Sequence, residues 1–246
     1  MELPDEIFKE GKAKIIYEKE GGTLLMKFKD DLTALDGLKH DQMPSKGKYN
    51  SVITAHLLKM VQEAGVPTHL VALHEPGLME VKKVEIIPVE AVLRNVAAGS
   101  IVKRLPLEAG TKLDRPVIEF YLKDDALHDP WINDDHIQML DLATAEELGE
   151  IRSLTSKVNS ILTGYFASRG LVLADFKLEF GRCDGKLILA DEITPDTMRI
   201  FDADAFDRGE LVEYDKQIFR DGGSPEEIRG AYDEAFRRIV GEEPSF

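Results

Sequence analysis

Charged residues alternate with apolar ones in the segment from Leu171 to Phe180. With the two-residue period of a β-strand, Asp175, Lys177 and Glu179 share one face, and apolar side chains occupy the other. An apolar face opposite a charged face is common in strands at a protein surface, and that interpretation stays open. The alternative is a chemical role, which depends on the acidic residues of the strand that follows.

That second strand, predicted over residues 186–193, carries Asp191, and the turn at Asp184-Gly185 decides where its carboxylate points. A two-residue loop would turn Asp191 into the apolar face, where an unpaired carboxylate costs several kcal/mol. A three-residue loop with the glycine in the left-handed region pairs Arg182 with Lys186 instead. We predict this second register, because it places Asp191 about 7–8 Å from Glu179 on the charged face, close enough to share Mg²⁺.

Two lysines, Lys12 and Lys14, open the first predicted strand, which covers residues 12–17. In a strand both side chains point the same way, and together they could hold phosphate oxygens in an otherwise acidic protein. Strand lysines are also commonly solvated, so the pair alone does not decide. Neither the GxxxxGK[ST] loop nor GxGxxG occurs in the chain, so a P-loop or Rossmann nucleotide site is not supported.

A third candidate lies where a predicted strand over residues 86–93 leads into a loop of small residues. Gly99-Ser100 precedes a short predicted helix and offers backbone amides and a hydroxyl to an anion. Arg94 could add a bidentate contact. A helix cap beside a structural arginine explains the same residues equally well.

The composition excludes several other classes of protein. The chain has 246 residues, a mass of 27.5 kDa and a net charge of -15, so we expect one or two associated lobes that do not bind nucleic acid. A single cysteine, Cys183, rules out an intrachain disulfide and a cysteine metal cluster. No apolar run approaches the roughly 20 residues of a membrane span, and no signal peptide is evident. We therefore expect a cytoplasmic protein without membrane contact.

The predicted elements indicate an α+β fold with mostly antiparallel sheets and C-terminal helices, because strands are not regularly followed by helices. Capping-box spacing at Thr144 predicts the clearest helix, over residues 144–169. We expect a lobe boundary near residues 82–86, with a β-rich nucleotide lobe at 1–84 and a substrate and metal lobe at 85–246. Further strands are predicted at residues 24–28, 69–73, 78–84 and 117–122. Further helices are predicted at 51–64 and at 211–240, the latter interrupted at Gly222-Gly223-Ser224-Pro225.

The segments around Arg94 and Asp175 resemble the SAICAR synthetase family (phosphoribosylaminoimidazole-succinocarboxamide synthase) of purine biosynthesis. The likeness covers nearly the whole chain in order: Gly11-Lys12-Ala13-Lys14, Lys46-Gly47, Arg94 to Ser100, Phe120 to Asp125, His128-Asp129-Pro130, Asp175 to Gly181, Asp191-Glu192, Pro195-Asp196 and Asp215-Lys216-Gln217. The resemblance implies a kinase-like, ATP-grasp-like fold of two lobes with the nucleotide between them. It also implies an ATP- and Mg²⁺-dependent ligase that joins the carboxylate of the ribonucleotide CAIR to the amine of L-aspartate, and it favours a homodimer.

Carried over to this sequence, the resemblance implies a role for each matched residue. The catalytic residues would be Lys177, Asp175 and Glu90, with Asp175 and Lys177 also facing the imidazole and carboxylate of CAIR. The ATP site would comprise Lys12, Ala13, Lys14, Val81, Lys82, Lys123, Glu179 and Asp191, with Glu179 and Asp191 as the Mg²⁺ ligands. The CAIR phosphate would bind Arg94, Ser100 and Arg199, and the candidates for the aspartate pocket are Asp36, Gly37, Lys46 and Gly47.

Two other functions share these features. A small-molecule kinase would also use lysines over phosphates and two acidic metal ligands, but its ATP consumption would not require aspartate. A nucleotide-binding regulatory module would bind ATP without turnover when CAIR and aspartate are present. Assays of ADP release therefore discriminate among the three.

Overall fold

Two antiparallel sheets form the frame of the protein, whose computed structural model describes residues 3–34 and 39–246. The first sheet has five strands in the order β1-β2-β3-β7-β6, the second has β10-β9-β8-β11-β12 with β13 also paired to β11, and β4 and β5 form a separate pair. The strands are β1 (Ile7–Glu10), β2 (Lys14–Lys19), β3 (Thr23–Phe28), β4 (Asp31–Ala34), β5 (Lys39–Gln42), β6 (Leu70–Glu75), β7 (Leu78–Lys82), β8 (Glu85–Val96), β9 (Lys112–Leu122), β10 (Trp131–Ile132), β11 (Leu171–Cys183), β12 (Lys186–Ala190) and β13 (Met198–Asp202).

Helices cover one face of each sheet and fill the C-terminal part of the chain. They are α1 (Lys46–Glu63), α2 (Ile101–Arg104), α3 (Asp134–Met139), α4 (Ala145–Ala167), α5 (Ala203–Asp207), α6 (Gln217–Arg220) and α7 (Pro225–Val240). The predicted capping box of α4 is confirmed, since the Thr144 hydroxyl accepts from Glu147 N–H and the Glu147 carboxylate accepts from Thr144 N–H. In the described part of the chain, no helix is long and apolar enough to cross a membrane.

Two predicted helices have different bounds in the structure. The helix expected over residues 51–64 begins earlier, at Lys46, because the Asp30 carboxylate accepts the N–H groups of Ser45 and Gly47 at its first turn. The helical region expected from Leu211 is wrong for residues 211–216. Val212 O accepts from Asp202 N–H and Tyr214 N–H donates to Ile200 O, so this segment runs beside β13 instead. The interruption before Pro225 is confirmed.

The predicted register between β11 and β12 is also wrong. Cys183 pairs with Lys186 across a two-residue turn whose members, Asp184 and Gly185, have φ values of 51° and 73°. Two residues of positive φ match the twist of a hairpin, and aspartate tolerates this conformation, so the shorter loop is the favourable one. The expected positive φ of the glycine is confirmed.

A two-residue loop was expected to bury the Asp191 carboxylate in the apolar face of the sheet. This burial does not occur, because β12 ends at Ala190, one residue before Asp191. Asp191 itself has a φ of 61° and leaves the ladder. Its side chain consequently reaches the charged side of the site, next to Lys14.

The hydrophobic core lies on the side of β11 that faces α4. Phe176, Leu178 and Phe180 are each 1% exposed there, which confirms the predicted apolar face. The first sheet joins the second through the segment before β6, where His69 N–H donates to Leu189 O at 2.9 Å and His69 O accepts from Lys82 N–H at 2.7 Å. The predicted boundary falls in the link between β7 and β8, and the division into two domains stays a prediction.

Candidate active site

Pairing of the central strands brings charged side chains from distant parts of the chain onto one face of the second sheet. In the register of β8 and β11, Arg94 lies opposite Asp175 and Glu90 lies opposite Glu179. Lys177 lies between them on the same face of β11. The two-residue periodicity of each strand and the antiparallel register together create this cluster.

Lys177 is the centre of the cluster's cation–carboxylate network. Its ammonium group lies 2.8 Å from Glu90 Oε1 and 2.9 Å from Glu179 Oε1, and Lys123 donates to the other oxygen of Glu179. Burial disfavours the charged form of Lys177, but Glu179 and Glu90 outweigh it and raise its pKa well above the usual value. Burial in turn raises the pKa of Glu90. The structure therefore brings together the catalytic candidates Lys177 and Glu90.

The first sheet contributes Lys14 to the same region. Its ammonium group forms ion pairs with Asp191 and, at 3.1 Å, with Glu192. Burial opposes the charge on Lys14, but Asp191 and Glu192 raise its pKa above the ordinary value. Burial likewise opposes the Asp191 carboxylate, whereas Lys14 and Lys177 lower its pKa, so both sequence-predicted residues are charged and electrostatically linked to β11.

The acidic groups offer suitable ligands for Mg²⁺. Glu179 and Asp191 supply carboxylate oxygens, and the buried Oε2 of Glu192 has no protein hydrogen-bond partner. Within residues 3–34 and 39–246, no group of three or more His, Cys, Asp or Glu side chains has a metal-binding arrangement. Mg²⁺ bound with phosphates usually takes only one or two carboxylates, so this donor set fits the ion.

Lys12 does not share a strand face with Lys14, contrary to the sequence prediction. A turn in which Gly11 N–H donates to Lys14 O at 2.8 Å precedes β2, so Lys12 lies in the turn. Its ammonium group is 2.7 Å from Asp125, in the segment that follows β9. Ala13 O, in the same turn, accepts from Lys29 N–H at 2.8 Å.

Arg94 has a protein partner for each of its five N–H groups. The acceptors are Glu119 Oε2 (2.5 Å), Asp175 Oδ2 (2.7 Å), Ser100 Oγ (2.9 Å), Ala98 O (3.2 Å) and the Tyr121 hydroxyl (3.3 Å). The residue is 3% exposed. Ser100 makes no cap bond to α2, so the structure turns its hydroxyl toward Arg94 instead.

Arg199 retains more freedom than Arg94. Its Nη1 lies 2.9 Å from both oxygens of Asp175, and its side chain is 18% exposed. The guanidinium packs on Gly99, where an added Cβ would lie 2.5 Å from Arg199 Cζ. The predicted pair Gly99-Ser100 therefore matters less as a helix N-terminus than as a site of close approach for an arginine.

A cavity of about 200 Å³ opens between these groups. Sequence reasoning missed four of its polar lining residues: Tyr121, Asp196, Thr197 and Arg220. Tyr121 and Asp196 lie in matched motifs without an assigned role, Thr197 directly follows one of these motifs, and Arg220 follows another by three residues. The lining consists of Glu90, Val92, Arg94, Ser100, Tyr121, Asp175, Phe176, Lys177, Asp196, Thr197, Met198, Arg199 and Arg220.

The remaining predicted residues lie at the edges of the site. Val81 is buried, and Lys82 ends β7 next to the segment before β6, where its N–H donates to His69 O. Lys46 is fully buried, with its ammonium group 2.5 Å from Asp196. Gly47 allows the start of α1 to pack against the backbone of β3. Asp36 and Gly37 lie outside the described residues.

Known proteins resemble this chain over nearly its whole length. The SAICAR synthetase family model matches residues 7–239. The phosphoribosylaminoimidazole-succinocarboxamide synthase of Sulfurisphaera tokodaii is 44% identical over 230 residues, which cover 94% of this chain and 96% of that protein. A SAICAR synthetase solved in complex with ADP superposes with a TM-score of 0.91 at 42% identity, covering 98% of this chain and 100% of that one.

A third relative gives the same result. The phosphoribosylaminoimidazole-succinocarboxamide synthase of Ehrlichia chaffeensis has a TM-score of 0.91 and 36% identity over 97% of this chain and 100% of its own. The expected α+β, ATP-grasp-like architecture with antiparallel sheets and C-terminal helices is confirmed. The chain is an enzyme and belongs to the SAICAR synthetase family.

Proposed function

We propose that the chain is an ATP-dependent ligase that joins CAIR and L-aspartate to form SAICAR, ADP and phosphate through an acyl-phosphate intermediate. One observation carries the proposal: the cation–carboxylate cluster around Lys177 adjoins the arginine-lined cavity on one face of the sheet. A reaction that brings a triphosphate to a phosphorylated acceptor needs two anion sites side by side. The names of the relatives supply the choice of substrates.

ATP is assigned to the side of the cluster formed by the first lobe. Lys12 and Lys14, with the backbone of Ala13, would neutralise the phosphates. Val81 and Lys82 would face adenine with their backbone, and Lys82 N–H would have to leave His69 O to take part in that contact. Lys123 would move from Glu179 to a phosphate or ribose oxygen.

Glu179 and Asp191 are the proposed Mg²⁺ ligands, with Glu192 beside them. The ion, when bound, neutralises charge on the phosphates. Lys14, Lys123 and Lys177 now balance these carboxylates. The same three ammonium groups would remain close to the transferring phosphoryl group and stabilise its developing charge.

CAIR is assigned to the cavity. Ser100 and Arg199 would hold its phosphate, with Arg94 directly behind them. Asp175 and Glu90 would face the imidazole, and Lys177 would hold the carboxylate in line with the γ-phosphate. A phosphate against Arg199 and a carboxylate against Lys177 would fix both ends of the ligand.

The aspartate pocket keeps its sequence candidates as a proposal: Asp36, Gly37, Lys46 and Gly47. Lys46 does not present a free ammonium group, because it is paired with Asp196. It would therefore act through the Asp196 carboxylate, which lines the cavity and could accept a hydrogen bond from the substrate's ammonium group.

The chemistry is a two-step acyl transfer. A carboxylate is a poor electrophile because its oxide is a poor leaving group. A CAIR carboxylate oxygen attacks the γ-phosphorus, the bond to the β-phosphate oxygen breaks, and ADP leaves. The neutral aspartate amine then attacks the acyl carbon, and the bond from that carbon to the phosphate oxygen breaks. Phosphate leaves with the former carboxylate oxygen and takes up the proton that the nitrogen loses. The protein contributes positioning and charge neutralisation.

The dependence of ADP release on aspartate tests the proposal. With ATP, Mg²⁺ and CAIR, we expect ADP release and a product of amide mass only when L-aspartate is present, and no reaction with other amino acids. Release without aspartate and a phosphorylated CAIR product would establish the kinase alternative. ATP binding without any release would establish a regulatory module. A homodimer and a cytoplasmic location stay predictions.

A further inference from the structure

Glu119 lies behind the proposed phosphate subsite and is not among the residues that line the cavity. It projects from β9, opposite Val92 of β8, and its side chain is 10% exposed. The carboxylate accepts from Arg94 Nε at 2.5 Å and from Arg104, while the Tyr121 hydroxyl lies 3.3 Å away. Burial opposes its ionised form, but the hydrogen bond and charge of Arg94 outweigh this and lower the pKa of Glu119.

The bond from Arg94 to Glu119 fixes the plane of the guanidinium. With Nε held by Glu119, Nη1 can reach Asp175 and Nη2 can reach Ser100. Since all five N–H groups are used within the protein, a ligand could contact Arg94 only if one of these bonds were lost. The geometry thus favours a supporting role for Arg94.

The balance of donors and acceptors around Arg94 also determines the direction of the hydrogen bonds made by the Ser100 and Tyr121 hydroxyl groups. Arg94 Nη2 has two N–H groups and donates to both Ser100 Oγ and the Tyr121 hydroxyl. The Tyr121 hydroxyl in turn donates a hydrogen bond to Glu119, because an ionised carboxylate can only accept. With its own proton directed at Glu119, the Tyr121 oxygen lies 3.2 Å from Ser100 Oγ and can accept the Ser100 proton until an anionic ligand in the cavity takes its place.

We propose that Glu119 is a positioning residue for the phosphate subsite, acting through Arg94 and Tyr121 to hold the Ser100 hydroxyl at the edge of the cavity where the ligand binds. The inference rests on the proposed function, because it takes CAIR as the ligand of the cavity. A neutral amide at position 119 would offer an N–H donor where Tyr121 and two arginines need an acceptor. Arg94 and Arg104 would then lose an acceptor, and the Arg94 guanidinium that donates to Ser100 Oγ would no longer be fixed in its plane.

The test compares Glu119→Gln with Glu147→Gln, a matched control. Glu147 also accepts from an arginine Nε at 2.5 Å, that of Arg182, but at a distance from the cavity. We expect Glu119→Gln to weaken CAIR binding roughly tenfold, measured by calorimetry without ATP, and to raise the KM for CAIR but not for ATP. Glu119→Asp should recover part of the loss, and Glu147→Gln should lower Tm without changing CAIR binding.

The double variant Glu119→Gln/Ser100→Ala separates the proposed route from general damage. If Glu119 acts through the Ser100 hydroxyl, its effect on CAIR affinity should largely disappear in the Ser100→Ala background. Full additivity, or a Glu119→Gln protein that binds CAIR like the wild type, would overturn the inference while leaving the proposed function intact. Failure of the wild-type protein to bind CAIR would instead reject the proposed function.

Discussion

Replacing Lys177 by methionine should cost both stability and turnover, for separable reasons. The ammonium group lies between Glu90 and Glu179, at 2.8 and 2.9 Å. Removing one partner of a buried ion pair typically costs about 3–5 kcal/mol, because it leaves an uncompensated charge. A quarter of the Lys177 side chain is exposed, at 26%, so we expect the low end, about 3 kcal/mol. For a chain of this size that lowers Tm by roughly 6–12 °C.

A second variant separates the two effects. In Lys177→Met, Glu90 and Glu179 both lose their ammonium partner. The double variant Lys177→Met/Glu90→Gln removes one of these two unpaired charges, so its Tm should recover in large part while SAICAR formation stays absent. Lys186→Met, at an exposed lysine of the β11–β12 turn, is the control and should change neither quantity. Thermal denaturation and the coupled ADP assay provide the measurements. Turnover by the double variant, or an unchanged Tm in Lys177→Met, would refute the reasoning.

Two further predictions concern stability. Gly47→Ala should lower stability by about 1–3 kcal/mol, because its Cβ would lie 2.6 Å from Phe28 O; an unchanged melting curve would contradict the close packing. Burial raises the pKa of Glu213 from 4.5 to about 7, so the folded state binds more protons than the unfolded state between these values. The stability of the wild-type protein should therefore fall as pH rises through this window, and the stability of the Glu213→Gln variant should fall less. Urea denaturation midpoints that change in parallel for the two proteins from pH 4.5 to 7.5 would count against this prediction.

Local patterns in the sequence were sufficient to predict the elements that build the site. The capping box at Thr144 predicted the start of α4, and alternation from Leu171 to Phe180 predicted both faces of β11. These features depend on neighbouring residues alone. The first strand, β1, escaped notice because all four of its residues are exposed and show no apolar periodicity.

Other parts of the site depend on single backbone torsions and on contacts between distant segments. The β11–β12 register depends on Asp184 adopting a φ of 51°, and the position of the Asp191 carboxylate depends on a φ of 61°. The Asp184-Gly185 pair is itself a local signal for a two-residue turn with positive φ, but no local pattern predicts the torsion of Asp191. The full set of Arg94 partners likewise requires Ala98 O and Tyr121 to meet it in space, which only the tertiary fold determines.

Transfer of oxygen-18 from the CAIR carboxylate tests the central claim most directly. If the carboxylate is activated as an acyl phosphate, attack by the aspartate amine must deliver one labelled oxygen to inorganic phosphate for each amide formed. We predict phosphate carrying a single label in a one-to-one ratio with SAICAR, as measured by mass spectrometry. Unlabelled phosphate accompanied by a normal yield of amide would contradict the proposed mechanism.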